Sequence, residues 1–212
     1  MTINEIAQWG ATFLGVGYVI GASLGRVWCW PLGIIGSALA MWIAFEAAYF
    51  QDMVLNLYYI GMGAYGWHNW QKRGKAKGDL LDNFSEENNS GSLRIKVSTR
   101  PWKFHLAFLT IGVMLSLISG YFFQQLGNER SYLDGLTTVF SLMTTWLVAR
   151  KILENWIYWI FIDILAAYMY VVKGMLPFSY LFIFYTLWSV IGLILWYRDW
   201  KKENHAHSHN RS

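Results

Sequence analysis

Seven apolar stretches run along the chain with polar breaks between them, approximately Ile6–Leu24, Trp28–Phe50, Met53–Trp70, His105–Phe123, Leu133–Ala149, Ile152–Val172 and Met175–Tyr197. Each is close to the ~20 residues that carry an α-helix across a bilayer. The helices of a soluble bundle repeat apolar residues at i, i+3 and i+4 and turn a polar face to water. These stretches are apolar almost all round. In lipid every backbone N–H and C=O must find its partner inside the segment, so the helix is the expected form. The pattern predicts an all-α integral membrane protein with seven transmembrane helices. The first stretch starts within six residues of Met1. No positive charge precedes it and no clear small-residue cleavage site follows, so it is expected to stay as a helix and not to act as a signal peptide.

One break is long. Gln71–Arg100 separates the third stretch from the fourth, and Gly74–Ser92 within it is rich in Gly, Lys, Asp, Glu and Asn. Such a composition buries too little apolar surface to order itself. Ser98-Thr99-Arg100-Pro101 reads as a helix start. The expected organisation is a first three-helix bundle over 1–71, a cytoplasmic loop over 72–101, a linker helix over 102–128, a second three-helix bundle over 129–200 and a polar tail over 201–212. His205, His207 and His209 alternate in that tail. They read as a floppy end and not as a metal site.

The two sets of three stretches look related. Gly66-Trp67-His68-Asn69-Trp70 ends the third and Trp196-Tyr197-Arg198-Asp199-Trp200 ends the seventh, each with an aromatic residue three places before a terminal Trp. Ala47-Ala48-Tyr49 in the second stretch is matched by Ala166-Ala167-Tyr168 in the sixth. A set of three helices ends on the side opposite to its start. The fourth helix brings the chain back, so both sets have the same orientation. This is the arrangement of parallel repeats about an axis along the membrane normal, with a substrate site between the halves. The expected architecture is two parallel three-helix bundles joined by a linker helix, 3+1+3.

Composition agrees. The chain is 55% hydrophobic and 18% aromatic, and its 14% of charged residues falls well below the ~25% of soluble domains. Its net charge of +4 raises the question of nucleic acid, but the placement of charge answers it. Arg130 and Lys173 lie on one side of the predicted membrane, and the other fifteen Lys and Arg on the opposite side. The positive-inside rule puts the N-terminus outside and the C-terminus in the cytoplasm. The basic residues are thus explained by topology, without nucleic acid. Trp28, Trp30, Trp67, Trp70, Trp102, Trp156, Trp196 and Trp200 gather at the cytoplasmic helix ends, where indoles act as interfacial anchors. The single cysteine, Cys29, excludes an intramolecular disulfide and a thiolate-rich zinc site.

Candidate chemistry lies in the few polar groups within the stretches. An acid in a membrane helix is costly unless it faces a cavity or a partner. Asp163, near the middle of the sixth stretch, and Glu46, toward the outer end of the second, are therefore candidates. Asp134 and Glu154 lie at the margins. Asn56, Asn155 and Thr138 are candidate hydrogen-bonding groups. Thr137, Ser141, Thr144 and Thr145 extend the polar face of the fifth helix, although small hydroxyls often only bond across helices. Trp42 and Trp188 sit too deep for anchors. Trp159, Tyr59 and Tyr185 lie at compatible heights, so a pocket lined by the second, third, sixth and seventh helices is expected, with aromatic rings stacking on the ligand. Helix packing is the plainer role for any one of these rings.

No Lys or Arg lies mid-membrane, where a phosphate or carboxylate would require one. The inventory suits a neutral or cationic ligand with several hydroxyls, since desolvated aromatic faces attract cations. There is no Gly-rich phosphate loop, no plausible Cys–His pair and no metal-ligand spacing, so no enzyme, cofactor or metal is expected. No filter-like sequence points to a channel.

The second half goes further. Tyr132-Leu133-Asp134-Gly135-Leu136-Thr137-Thr138 leads to Trp146-Leu147-Val148-Ala149-Arg150-Lys151, then Leu153-Glu154-Asn155-Trp156, Trp159, Asp163, Tyr170 and Lys173-Gly174. The first half has Trp30-Pro31-Leu32-Gly33, Gln51-Asp52 and Tyr65-Gly66-Trp67-His68-Asn69-Trp70. From Ile6 to Trp200 the chain resembles the PnuC family of bacterial nicotinamide riboside transporters. The resemblance implies a 3+1+3 fold similar to SWEET sugar transporters. It also implies a homotrimer in the bacterial inner membrane and uptake of nicotinamide riboside by facilitated diffusion, with a cytosolic riboside kinase trapping the product for NAD synthesis. Relatives of this pattern carry riboflavin or thiamine, and a proton-coupled carrier using Asp163 or Glu46 is the alternative mechanism. The residues alone leave these ligands and both mechanisms open.

Overall fold

The computed structural model describes residues 3–46, 50–82, 96–125, 131–172 and 176–209. They form α1 (Ile3–Ser23), α2 (Cys29–Glu46), α3 (Phe50–Asp82), α4 (Trp102–Gln125), α5 (Ser131–Ala149), α6 (Asn155–Val172) and α7 (Leu176–His209). Each of the seven apolar stretches holds one helix, and there is no strand longer than one isolated bridge among the described residues.

Helix packing follows the expected grouping. α2 packs between α1 and α3, and α6 packs between α5 and α7. The two bundles meet along α1–α7 and α3–α5. α4 lies outside both bundles and docks on α5. Gly112, Ser116 and Gly120 recur every fourth residue on α4, and they let it approach closely. The Phe140 ring fills the space at Gly112, Tyr132 that at Gly120, and Gly135 lies against the α4 backbone. Small residues at i and i+4 are how membrane helices pack without a hydrophobic drive.

The outside of the molecule is apolar. Leu109, Val113, Leu117 and Ile118 of α4, Phe161 and Ile164 of α6, and Leu187 and Ile194 of α7 are all exposed. Such a continuous shell is what lipid requires and water does not tolerate. By length and hydropathy alone, four helices qualify as membrane spans, within α2, α4, α6 and α7. α1, α3 and α5 fall below that mark because polar residues of each, such as Thr12, Asn56 and Thr138, turn inward to a cavity.

Two expectations are corrected. α3 continues through Gln71 to Asp82, into the segment whose composition suggested disorder. A helix already nucleated in the membrane gains one hydrogen bond per added residue and needs no core to extend. For the same reason the backbone of the predicted tail is helical as far as His209. Residues 83–95 and 210–212 lie outside the described residues.

The internal repeat is real, but its register is not the one suggested by the Trp-rich helix ends. Trp30 fills the space over Gly66, and Trp156 fills the space over Gly192. Residues 30 and 156, 66 and 192, and 70 and 196 all differ by one offset, 126 residues. The turns confirm it. After α1, Gly25 N–H donates to Ala22 O at 2.9 Å and Arg26 N–H to Gly21 O at 2.9 Å. After α5, Lys151 N–H donates to Val148 O at 2.9 Å and Ile152 N–H to Leu147 O at 3.0 Å. Both are Schellman endings with a left-handed residue after the helix. Gly25 has φ 66° and Lys151 has φ 55°. Trp70 therefore pairs with Trp196, and not with Trp200. Ala47–Tyr49, the other proposed match, lie outside the described residues.

Candidate functional site

A cavity of about 1220 Å³ lies between the bundles. All six bundle helices line it, and α4 does not. Most lining residues fall into pairs at the repeat offset, among them Thr12 with Thr138, Ala40 with Ala166, Leu55 with Leu181, and Tyr59 with Tyr185. The pairs that differ do so in a consistent direction. Gly15, Val19, Gly33, Ser37 and Gly63 of the first bundle face Ser141, Thr145, Trp159, Asp163 and Ser189 of the second. Only Asn56, paired with Phe182, reverses the polarity. The second bundle thus carries the larger and more polar groups, while the first leaves room.

Six of the ten candidate binding residues line this cavity: Asn56, Tyr59, Thr138, Trp159, Asp163 and Tyr185. Asp163 is 3% exposed, and the Ser189 hydroxyl donates to its Oδ2 at 3.3 Å. Asn56 turns its amide N–H to Asp52 O at 2.8 Å. Three Asp line the cavity, Asp52, Asp134 and Asp163, and the described lining residues include no Lys or Arg.

Four candidates lie elsewhere. Trp42 is 41% exposed and Glu46 is exposed at the end of α2. The cavity face of α2 is Gly33, Gly36, Ser37 and Ala40, which recur at i, i+3, i+4 and i+7. Depth in the membrane fixes height and not azimuth, and Trp42 lies off that face. Trp188 stacks on Phe184, and its Nε1–H donates to Ser23 Oγ at 2.9 Å. It is a contact between bundles and not a lining ring. Asn155 is fully buried at the first position of α6, where Nδ2 donates to Ile152 O in the preceding turn at 2.6 Å. The expected set of lining helices also omitted α1, and of α5 it held only Thr138. The repeat register is the signal that reveals them, because each known lining residue of one bundle points to a partner in the other.

One end of the cavity is sealed by tryptophan. Trp30, Trp70, Trp156 and Trp196 are at most 3% exposed. They form a chain of ring contacts, Trp30 to Trp70 at 5.2 Å, Trp70 to Trp196 at 6.1 Å and Trp196 to Trp156 at 5.3 Å. These four were expected as interfacial anchors; their burial corrects that reading. Trp28, Trp67 and Trp102 keep an exposed position. The inner pair cross-links the bundles. Trp70 Nε1–H donates to Ala149 O at 3.1 Å, and Trp196 Nε1–H to Ser23 O at 3.0 Å. Residues 23 and 149 are again counterparts.

Lys151 closes the seal. It is 1% exposed, with Nζ 5.0 Å from the Trp70 ring centroid and 5.2 Å from that of Trp196. A desolvated cation–π contact is worth about 2 kcal/mol. Its Nζ also occupies the space beside Gly25, where a Cβ would come within 2.7 Å of it. The lysine therefore crosses the pseudo-axis and lies on its own repeat counterpart. A non-glycine residue in the left-handed region costs about 1–2 kcal/mol, and these contacts offset it. The preceding chain pins the turn: Ser98 N–H donates to Lys151 O at 3.1 Å and Leu153 N–H to Ser98 O at 2.8 Å. Arg100 N–H donates to Glu154 Oε1 at 3.0 Å, and His105 Nε2 lies 3.5 Å from the same oxygen.

Two repeated bundles inside an apolar shell, with a polar cavity between them and a seal at one end, define a multi-pass membrane transporter. A profile of the nicotinamide mononucleotide transporter family matches residues 5–198, and the chain belongs to that family. It is accordingly a transporter and not an enzyme. The nicotinamide riboside transporter PnuC of Neisseria mucosa is 25% identical over 193 residues, spanning 88% of this chain and 70% of that protein. PnuC of Escherichia coli is 22% identical over 200 residues, spanning 82% of this chain and 78% of that protein. The fold is similar to the crystal structure of the vitamin B3 transporter PnuC, with a TM-score of 0.73 and 21% identity, covering 93% of this chain and 83% of that one.

Proposed function

We propose that this transporter carries nicotinamide riboside into the cell. The observation that carries the reading is the cavity lining: three carboxylates, several aromatic rings and a row of hydroxyls, with no basic residue among the described ones. Nicotinamide riboside presents a cationic pyridinium, a carboxamide and a ribose without phosphate, and each finds its complement in that set. Trp159, Tyr59 and Tyr185 are the rings available to the pyridinium, and Asp163 the counter-charge. The mononucleotide in the family's name would bring a phosphate next to three carboxylates, which disfavours it.

The mechanism that fits is alternating access by two bundles rocking about the cavity. It is passive, and a cytosolic riboside kinase pulls it inward by consuming the product. The proton-coupled alternative rests on Asp163, since Glu46 lies outside the cavity. The lysine and arginine distribution supports an orientation with the tryptophan seal toward the cytoplasmic side and the N-terminus outside, and the membrane proposed is the inner membrane of a bacterium. A homotrimer is the assembly proposed.

Calorimetric titration of the purified protein with nicotinamide riboside, its 5′-phosphate, riboflavin and thiamine tests the substrate. Binding of the riboside in preference to the other three is expected. Tighter binding of the phosphate, or of riboflavin or thiamine alone, would overturn it. In protein-only liposomes, riboside accumulation driven by a pH gradient would replace the passive mechanism with the proton-coupled one.

A further inference from the structure

We infer that residues 96–101 are a strap that holds the sealed end shut from the second bundle's side, by fixing the turn that aims Lys151 between Trp70 and Trp196. The inference goes beyond the proposed function and does not depend on which ligand is carried.

The two turns at the sealed end share their hydrogen bonds but not their means of support. Gly25 adopts its left-handed φ of 66° without steric cost, whereas Lys151, at 55°, carries a Cβ into a region that other residues avoid. Among the described residues, the backbone bonds of the first turn all stay within 20–30. The second turn is bonded from outside. Ser98 N–H donates to Lys151 O at 3.1 Å, and Leu153 N–H returns to Ser98 O at 2.8 Å, so the strap bridges both sides of Ile152.

Both ends of the strap are anchored. Val97 is 1% exposed and belongs to the buried cluster that holds Trp30, Trp70, Trp156 and Trp196. Ile152, opposite Ser98, is fully buried in the neighbouring cluster, with Leu147 of α5 and Phe108 of α4. At the far end Arg100 N–H donates to Glu154 Oε1 at 3.0 Å. His105 Nε2 lies 3.5 Å from the same oxygen, and its Nδ1 lies 2.8 Å from the Tyr158 hydroxyl. The strap thus ties the Lys151 turn to the first turns of α4 and α6.

A lysine in a left-handed turn gains by relaxing to an ordinary backbone conformation and returning its ammonium to water. With the backbone groups on both sides of Ile152 held by Ser98, that rotation is blocked and Nζ stays over the two inner rings. Trp70 belongs to the first bundle and Trp196 to the second, so the position of this one side chain ties the bundles together. Ser98 and Glu154 act through Lys151 as positioning residues. The device is one-sided: strap, turn and lysine ride on the second bundle, and the first receives the lysine with Gly25 and Trp70.

The test is the rate at which a thiol reagent modifies Cys29 in the purified protein, with a melting temperature recorded for each variant. Cys29 is the single cysteine and is fully buried in the seal cluster, and Glu154 is not a member of that cluster, so a faster reaction reports opening and not local access. Glu154→Ala removes the acceptor of the Arg100 N–H and is expected to speed the reaction roughly tenfold. Glu154→Gln keeps an acceptor oxygen and is expected to stay within about threefold of the unsubstituted protein. On a Lys151→Met background, Glu154→Ala is expected to add less than about twofold, because the strap acts through the lysine. Should Glu154→Ala fail to fold, Arg100→Pro deletes the donor of the same bond in a non-helical stretch, and the same acceleration is expected. An unchanged rate in the folded variant would overturn the inference. So would a Glu154→Gln rate as fast as that of Glu154→Ala, or an undiminished gain without Lys151.

Discussion

The two bundles share one backbone plan and differ in what they place on it. At the sealed end the match extends to single atoms: Trp30 over Gly66 and Trp156 over Gly192, with the two Schellman turns superposable hydrogen bond by hydrogen bond. Around the cavity the same positions diverge, Gly33 against Trp159 and Ser37 against Asp163. A contact that joins two related bundles is served by symmetry, because each half grips the other in the same way. A ligand with a charged ring at one end and a sugar at the other has no two-fold symmetry, and a symmetric cavity would bind it in two poses. Divergence at the cavity resolves that degeneracy.

The comparison is broken most severely at the glycines. A Cβ at Gly66 would lie 2.4 Å from the Trp30 ring, and one at Gly192 would lie 2.7 Å from the Trp156 ring. Gly66→Val and Gly192→Val are each expected to overpack the seal by about 1–3 kcal/mol. In a chain of this size that lowers the melting temperature of the purified protein by roughly 3–10 °C. Tolerance at one glycine and failure at the other would show that the halves do not share the frame.

A smaller effect is expected at Lys151, which joins the halves without itself being repeated. Lys151→Met removes both ring–cation contacts while keeping a long side chain. Cys29, the single cysteine, is fully buried in the same cluster and reports on opening. Losing about 2 kcal/mol of closing interaction should speed its modification by a thiol reagent at least tenfold. The reagent should be membrane-impermeant and applied to inside-out vesicles, so that the orientation is read in the same experiment. An unchanged rate in a folded variant would mean that the lysine is not a latch.

Much of this was legible in the sequence, for identifiable reasons. Seven helices and their grouping follow from apolar length, from one long polar break and from the parity of three-helix sets. Asp163 could be read because a mid-membrane acid needs a cavity or a partner, and it has both. Trp42 and Trp188 were misplaced because a helix that is apolar all round gives no azimuth. The tryptophan seal was hidden because an indole near a helix end has the same sequence signature at a lipid interface as in a core. The repeat register escaped for a related reason. It is carried by a glycine under each tryptophan, and a glycine's significance appears only when the ring above it is seen. Lys151 had no signal at all beyond its place in the Ala-Arg-Lys run, since nothing local distinguishes a lysine that folds back between two indoles from one that faces lipid headgroups.

The division between a symmetric frame and a one-sided grip on the ligand is tested most directly by titrating nicotinamide riboside into Asp163→Asn and Ser37→Ala, the same position in the two bundles. Both changes are close to isosteric, and melting temperatures near that of the unsubstituted protein would confirm intact folds. Loss of a charged partner predicts at least roughly tenfold weaker binding for Asp163→Asn, and a loss within about threefold for Ser37→Ala. Equal losses, or a larger loss at Ser37, would contradict it.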